Sequence, residues 1–129
     1  MNVRLINLPK ILDKRGNLTF IQNDSLPFSI KRVFWTYDVP GGEIRGGHAY
    51  RSQEEIIIAL SGSFDVVIVD TTGREQNFSL NRSYYGLYLP AKTWRYMTNF
   101  STNSLSLHLS SGFFDADDYI RDFQAFLNV

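Results

Sequence analysis

The chain has 129 residues, 43% of them hydrophobic and 15% aromatic, which predicts one domain spanning residues 1–129 with a core of large side chains. Lys plus Arg and Asp plus Glu number 13 each, a balance that argues against a nucleic-acid partner, which requires a basic face. There is no cysteine, which excludes disulfides, thiolate metal sites and cysteine nucleophiles and fits a reducing compartment. No apolar run approaches the length of a membrane span, and the start at Met1-Asn2-Val3-Arg4 does not read as a signal peptide. The expectation is a cytoplasmic protein with no membrane contact.

In chain order, residues 3–8 read as a short strand, with turns at 9–10 and 13–17. In the second turn Gly16 takes a position that needs positive φ. Residues 18–22 read as a strand and 23–27 as a loop, because Pro27 disfavours helix before it. Residues 28–37 are rich in β-branched and aromatic side chains and predict a long strand, with Val33, Trp35 and Tyr37 on one face and Arg32, Phe34 and Thr36 on the other. After the turn at Val39-Pro40-Gly41-Gly42, strands are predicted at 45–50, 55–61, 64–70, 75–80, 85–89, 94–100 and 105–110, each bounded by turn residues. Only the tail, 115–127, has helical spacing: Tyr119, Ile120, Phe123, Phe126 and Leu127 form a stripe, with Asp115 as N-cap. This helix reads as a packing element. Many short strands with frequent turns mean a sandwich or barrel, so the fold class is all-β with a short C-terminal helix.

The chemistry concentrates at 42–62. His48 and Tyr50 have the same parity on a strand, so both side chains should face one cavity. Gly42, His48, Glu55 and Gly62 fall at the spacing of the first cupin motif, with Tyr50 where a second histidine is expected. Pro90 and Asn99 match the second cupin motif, in which Lys92 stands at the inner glycine and Arg95 at the histidine. The chain therefore resembles the cupins, and the resemblance implies a jelly-roll β-barrel. In a metal-binding cupin the two histidines, the glutamate and the later histidine hold the metal. Here Tyr50 and Arg95 replace two of them, and a fixed guanidinium is the wrong group beside a divalent cation. No metal and no cofactor are expected.

Shorter blocks narrow the resemblance. Ile30-Lys31-Arg32-Val33-Phe34, Arg45-Gly46-Gly47-His48-Ala49, Leu60-Ser61-Gly62-Ser63, Gly86-Leu87-Tyr88, Trp94-Arg95-Tyr96-Met97 and Asp117-Asp118-Tyr119-Ile120-Arg121 are similar to the sugar-nucleotide 3,4-ketoisomerases, cupins that act on dTDP-4-keto-6-deoxyglucose. The similarity runs from Ile6 to Phe126. It implies a dTDP-linked keto-deoxysugar as substrate, a homodimer, and a role in deoxysugars of surface polysaccharides. Residues 3–8 are a candidate for adding to the partner's sheet.

Moving a ketone from carbon 4 to carbon 3 passes through an enediol and needs a base, an acid and donors for the developing oxyanion. His48 is the candidate base, since an ordinary histidine titrates at about 6.5. Tyr50, whose phenol ordinarily titrates at about 10, is a candidate donor or acid, and Tyr37 a further proton carrier. Arg45 and Arg95 are candidate oxyanion or phosphate partners. Glu55 is either a substrate-binding group or the internal partner of Arg95, and Arg15 falls in a block resembling the pocket rim. His108, with Leu105, Leu107 and Leu109 on the opposite face of its strand, reads as structural or exposed. Two rival readings stand beside the isomerase: a sugar-nucleotide binding cupin without turnover, because the second histidine is missing, and a related nucleotide-sugar epimerase.

Overall fold

The computed structural model describes residues 2–129. Among the described residues twelve strands run in chain order: β1 (Arg4–Asn7), β2 (Lys10–Ile11), β3 (Leu18–Thr19), β4 (Arg32–Tyr37), β5 (Arg45–Tyr50), β6 (Glu55–Ser61), β7 (Phe64–Val69), β8 (Glu75–Leu80), β9 (Tyr85–Leu89), β10 (Trp94–Thr98), β11 (Leu105–Ser110) and β12 (Tyr119–Ile120), followed by helix α1 (Phe123–Leu127). Two five-stranded sheets face each other, with orders β1-β9-β6-β11-β4 and β12-β5-β10-β7-β8, and β2 and β3 form a small separate hairpin. This is the expected jelly roll, with its two sheets facing each other as a sandwich rather than closing into a barrel. Gly16, in the β2–β3 turn, has φ 137°.

Strand β6 explains the apolar run in the sequence. It lies mid-sheet between β9 and β11 and is covered on both faces. Ile57 and Ala59 point inward to an apolar half of the interior built from Phe64, Val66, Ile68, Leu80, Leu87, Leu89, Met97 and Phe100. Ile56 and Ile58 point outward, where Leu8, Phe28, Leu109 and parts of 21–30 cover them. Continuous burial selects continuous hydrophobicity. The tight β6–β7 turn depends on Gly62 (φ 67°), where a Cβ would stand 2.8 Å from the Ser104 backbone.

The other half of the interior is polar. The register of β11 against β6 pairs Ser106, His108 and Ser110 with Ala59, Ile57 and Glu55, so the polar residues of β11 face inward and the leucines outward. Strand β4 adds Phe34 opposite His108. Across the gap, β5 and β10 contribute His48 and Arg95 as register partners.

Strand β1 pairs with β9 at the edge of the first sheet. Two expectations are corrected. Strand β4 begins at Arg32 rather than residue 28, since Phe28 and Ile30 pack on the outside of the first sheet. The tail is mostly not helix: Asp115 caps a 3-10 turn at Ala116–Asp118 by accepting from the Asp117 amide, and Tyr119–Ile120 then pairs with Tyr50–Ala49. Asp118 locks this arrangement, because its buried carboxylate accepts from the amides of Ser52 and Gln53 and from the Ser52 hydroxyl. Side-chain spacing favoured a helix, but the open edge of β5 offered these backbone groups a better partner. Only α1 remains helical, packing Phe123 and Phe126 against Trp94 on the outer face of the second sheet.

Candidate active site

Between the polar inner faces lies a cavity of about 490 Å³, lined among others by Phe34, Arg45, His48, Glu55, Arg95, His108, Tyr119 and Arg121. Its wall is shaped by a β-bulge. Strand β10 matches Arg95 to His48 but Met97 to Arg45, so β5 carries one extra residue there. Gly46 (φ 77°) absorbs it. The bulge turns Arg45 to the same side as His48, which plain alternation would forbid.

His48 is held between the rings of Tyr50 and Tyr119, at 4.9 and 5.0 Å between centroids. Its Nε2 is buried and makes no hydrogen bond among the described residues. Burial, and next the positive charge of Arg95, lower its pKa from 6.5 to about 3, so the ring is neutral at physiological pH. His48 is among the residues that line the cavity, and a neutral imidazole can accept a proton at the ring nitrogen that carries none.

Glu55 joins three elements. Its Oε1 accepts from Arg95 Nη1 at 3.1 Å, and its Oε2 lies 2.8 Å from His108 Nδ1. Burial would raise the carboxyl's pKa, but the Arg95 charge and the His108 contact outweigh it and hold the pKa near 2. His108 Nε2 meets the Ser106 hydroxyl at 2.9 Å, and its ring stacks on Phe34 at 4.5 Å. Both ring nitrogens are engaged, so His108 orients Glu55 and, through it, Arg95. Arg95 also donates from Nε to the Thr93 carbonyl, which leaves Nη2 buried and without a hydrogen-bond acceptor among the described residues. That N–H group is a donor ready for an anionic oxygen.

The donor set does not fit a metal. Both oxygens of Glu55 are engaged by Arg95 and His108, and the Arg95 guanidinium sits where a cation would have to approach. No group of three or more His, Cys, Asp or Glu side chains suited to a metal occurs among the described residues. Lys92, at the motif's inner glycine position, adopts φ 60°, the left-handed conformation that glycine would take without strain.

The structure brings His48, Glu55, Arg45 and Arg95 to the cavity and separates the other expected residues from it. Tyr50 has the inward parity expected of it, but it is fully buried beneath the cavity lining, with the Arg95 guanidinium 5.0 Å from its ring centroid. Tyr37 is on the outward face of β4, 62% exposed, and borders a separate depression with Arg45. Arg15 is on the surface in the β2–β3 turn, paired with Asp13 at 2.8 Å, and does not line the cavity. Three ionisable lining residues were missed. His108 had a signal, the polar row Ser106, His108, Ser110 on one face of an otherwise leucine-rich strand. Tyr119 and Arg121 had none beyond their block, because their spacing read as helix.

Across its whole length, residues 1–129, the chain matches the family described as FdtA: WxcM-like, C-terminal. The chain belongs to this family. A curated relative, the TDP-4-oxo-6-deoxy-alpha-D-glucose-3,4-oxoisomerase of Aneurinibacillus thermoaerophilus, is 38% identical over 98% of this chain and 91% of its own. Among solved structures, the WlaRB TDP-quinovose 3,4-ketoisomerase from Campylobacter jejuni is 39% identical with a TM-score of 0.92, covering 99% of this chain and 98% of that one. The sugar 3,4-ketoisomerase QdtA from Thermoanaerobacterium thermosaccharolyticum, solved in complex with TDP, is 34% identical with a TM-score of 0.95, covering 98% and 93%. Family membership agrees with the resemblance seen in the sequence blocks. No helix among the described residues is long and apolar enough to cross a membrane.

Proposed function

We propose that the protein is a metal-free 3,4-ketoisomerase of a TDP-linked 4-keto-6-deoxyglucose, acting in cytoplasmic deoxysugar biosynthesis. The observation that carries this reading is the pairing of two unsatisfied groups across one strand register: His48 Nε2, which accepts in the tautomer protonated at Nδ1, and Arg95 Nη2, a donor. His48 takes the proton from carbon 3, while Arg95 stabilises the negative charge that develops on the ketone oxygen. Returning the proton to carbon 4 completes the isomerisation. Arg45 and Arg121, the exposed arginines of the cavity lining, suit the pyrophosphate of a nucleotide sugar.

The test is incubation with TDP-4-keto-6-deoxyglucose in deuterated water, followed by NMR. The expected outcome is a 3-keto product, with solvent deuterium at carbon 4 only in the turnovers in which the proton held by His48 exchanges before it is returned, and with turnover reduced about 10²- to 10⁴-fold in His48→Asn. Retained TDP binding with no conversion by the wild type would overturn the isomerase reading in favour of a binding protein.

The same reading includes a homodimer. Val33, Trp35 and Tyr37 form an exposed apolar row, 48, 56 and 62% accessible, on the sheet-edge strand β4. A row of this kind supports an interface between copies of the chain. A monomeric mass by light scattering at micromolar concentration would count against it.

A further inference from the structure

Transfer of the carbon-bound proton by His48 leaves the hydroxyl proton unaccounted for. Oxygen 4 must gain a proton and oxygen 3 must lose one. Sequence parity pointed to Tyr50 for this work, but Tyr50 does not reach the cavity.

A hydrogen-bond chain leads through Tyr50 instead. Arg32 Nη2 is anchored by donating to Gln53 Oε1 at 3.1 Å, and it also donates to the Tyr50 hydroxyl at 3.3 Å. A guanidinium has no acceptor, so the Tyr50 oxygen must accept there and its own proton must point elsewhere. It points to the Tyr119 hydroxyl, 3.2 Å away. The Tyr119 oxygen thus accepts from behind, and its own O–H is left to donate forward. Strand β12 supplies the direction: Tyr119 is the register partner of Tyr50, so it faces inward, and it lines the cavity. Its ring is 5.0 Å from that of His48, the proposed base, and the Arg121 guanidinium lies 4.4 Å from its ring centroid, a cation that favours developing negative charge on the phenol.

We propose that Tyr119 is a catalytic residue that shuttles the hydroxyl proton between oxygens 3 and 4 of the sugar, with Tyr50 and Arg32 as positioning residues. The inference rests on the isomerase reading. In the first half, His48 takes the proton from carbon 3, the C–H electron pair forms the carbon 3–carbon 4 double bond, and the carbonyl pair moves onto oxygen 4, which takes the proton of Tyr119. In the second half, oxygen 3 returns a proton to the tyrosinate as its carbonyl forms, and carbon 4 takes the proton held by His48. Both residues end as they began.

The experiment measures kcat, deuterium incorporation and TDP affinity for wild type, Tyr119→Phe, Tyr50→Phe and the double variant. Tyr119→Phe is expected to lower kcat about 10²- to 10⁴-fold while TDP affinity stays within about threefold. Tyr50→Phe should lower kcat less, and the double variant should be no slower than Tyr119→Phe alone, because a positioning residue has nothing left to position. A purely structural Tyr50 would instead add its loss to that of Tyr119. Normal conversion by Tyr119→Phe, or a loss of TDP affinity that parallels the loss of kcat, overturns the role of Tyr119 and leaves the isomerase reading standing. A wild type that does not convert the sugar overturns both.

Discussion

Arg45 and His48 face one cavity although an odd number of positions separates them on the same strand. The extra residue of the β5 bulge makes this geometry, and Gly46 at φ 77° makes the bulge. The side-chain space at Gly46 is open: a methyl group there would meet nothing nearer than Met97 Cε at 3.7 Å and His48 Cε1 at 4.0 Å. Its glycine is therefore required by the backbone angle alone.

Gly46→Ala should cost about 1–2 kcal/mol from left-handed strain. It should also lower kcat/KM, as Arg45 and His48 lose their shared orientation. Gly46→Asn should lose less on both counts, because asparagine tolerates this conformation. Thermal melts and kinetics of the two variants test the ranking, and equal behaviour of Ala and Asn would rule out a backbone cause.

The Glu55–Arg95 pair is 2% exposed on either side. Glu55→Gln should destabilise the fold by about 3–5 kcal/mol, mostly because it strands a buried guanidinium charge. Adding Arg95→Met to Glu55→Gln should recover part of that loss, since the stranded charge is gone. Denaturant titration of the single and double variants decides it, and a double variant less stable than Glu55→Gln would contradict the account.

Stability should fall steadily as pH drops from about 6.5 toward 2. His48 is held at about 3 in the fold against 6.5 unfolded, so below 6.5 the unfolded chain binds the extra proton. Glu55 is held near 2 against 4.5, so its contribution, complete above 4.5, is lost as pH falls toward 2. Both groups act in the same direction. A midpoint that stays constant between pH 7 and 4 would be incompatible with these two environments. The pH dependence of kcat/KM should likewise lack an acid limb near 6.5, because free His48 is already neutral there.

Chelators should leave the activity unchanged. Glu55 is saturated by Arg95 and His108, which leaves no free carboxylate among the described residues of the cavity lining to ligate a cation. Elemental analysis showing one metal per chain, with activity lost on dialysis against EDTA, would reverse this.

The sequence by itself determined the succession of strands from β4 to β11, the all-β class and the family, because alternation, turn residues and short blocks are local signals, whereas the two-residue strands β2 and β12 escaped it. Residues 55–61 read correctly as a strand, and the spacing of His48 and Glu55 placed both in the site. What only the tertiary structure decided was which side chains reach the cavity. A bulge changed the parity of Arg45, and a sheet edge outcompeted the helical spacing of the tail, exchanging Tyr50 for Tyr119 at the cavity wall. Tyr37 obeyed its strand parity, but the outward face proved to be the wrong one. The physical reason is common to all of these. Periodicity tells which residues share a face, whereas pairing between distant strands decides where that face points and which free edge a segment will join.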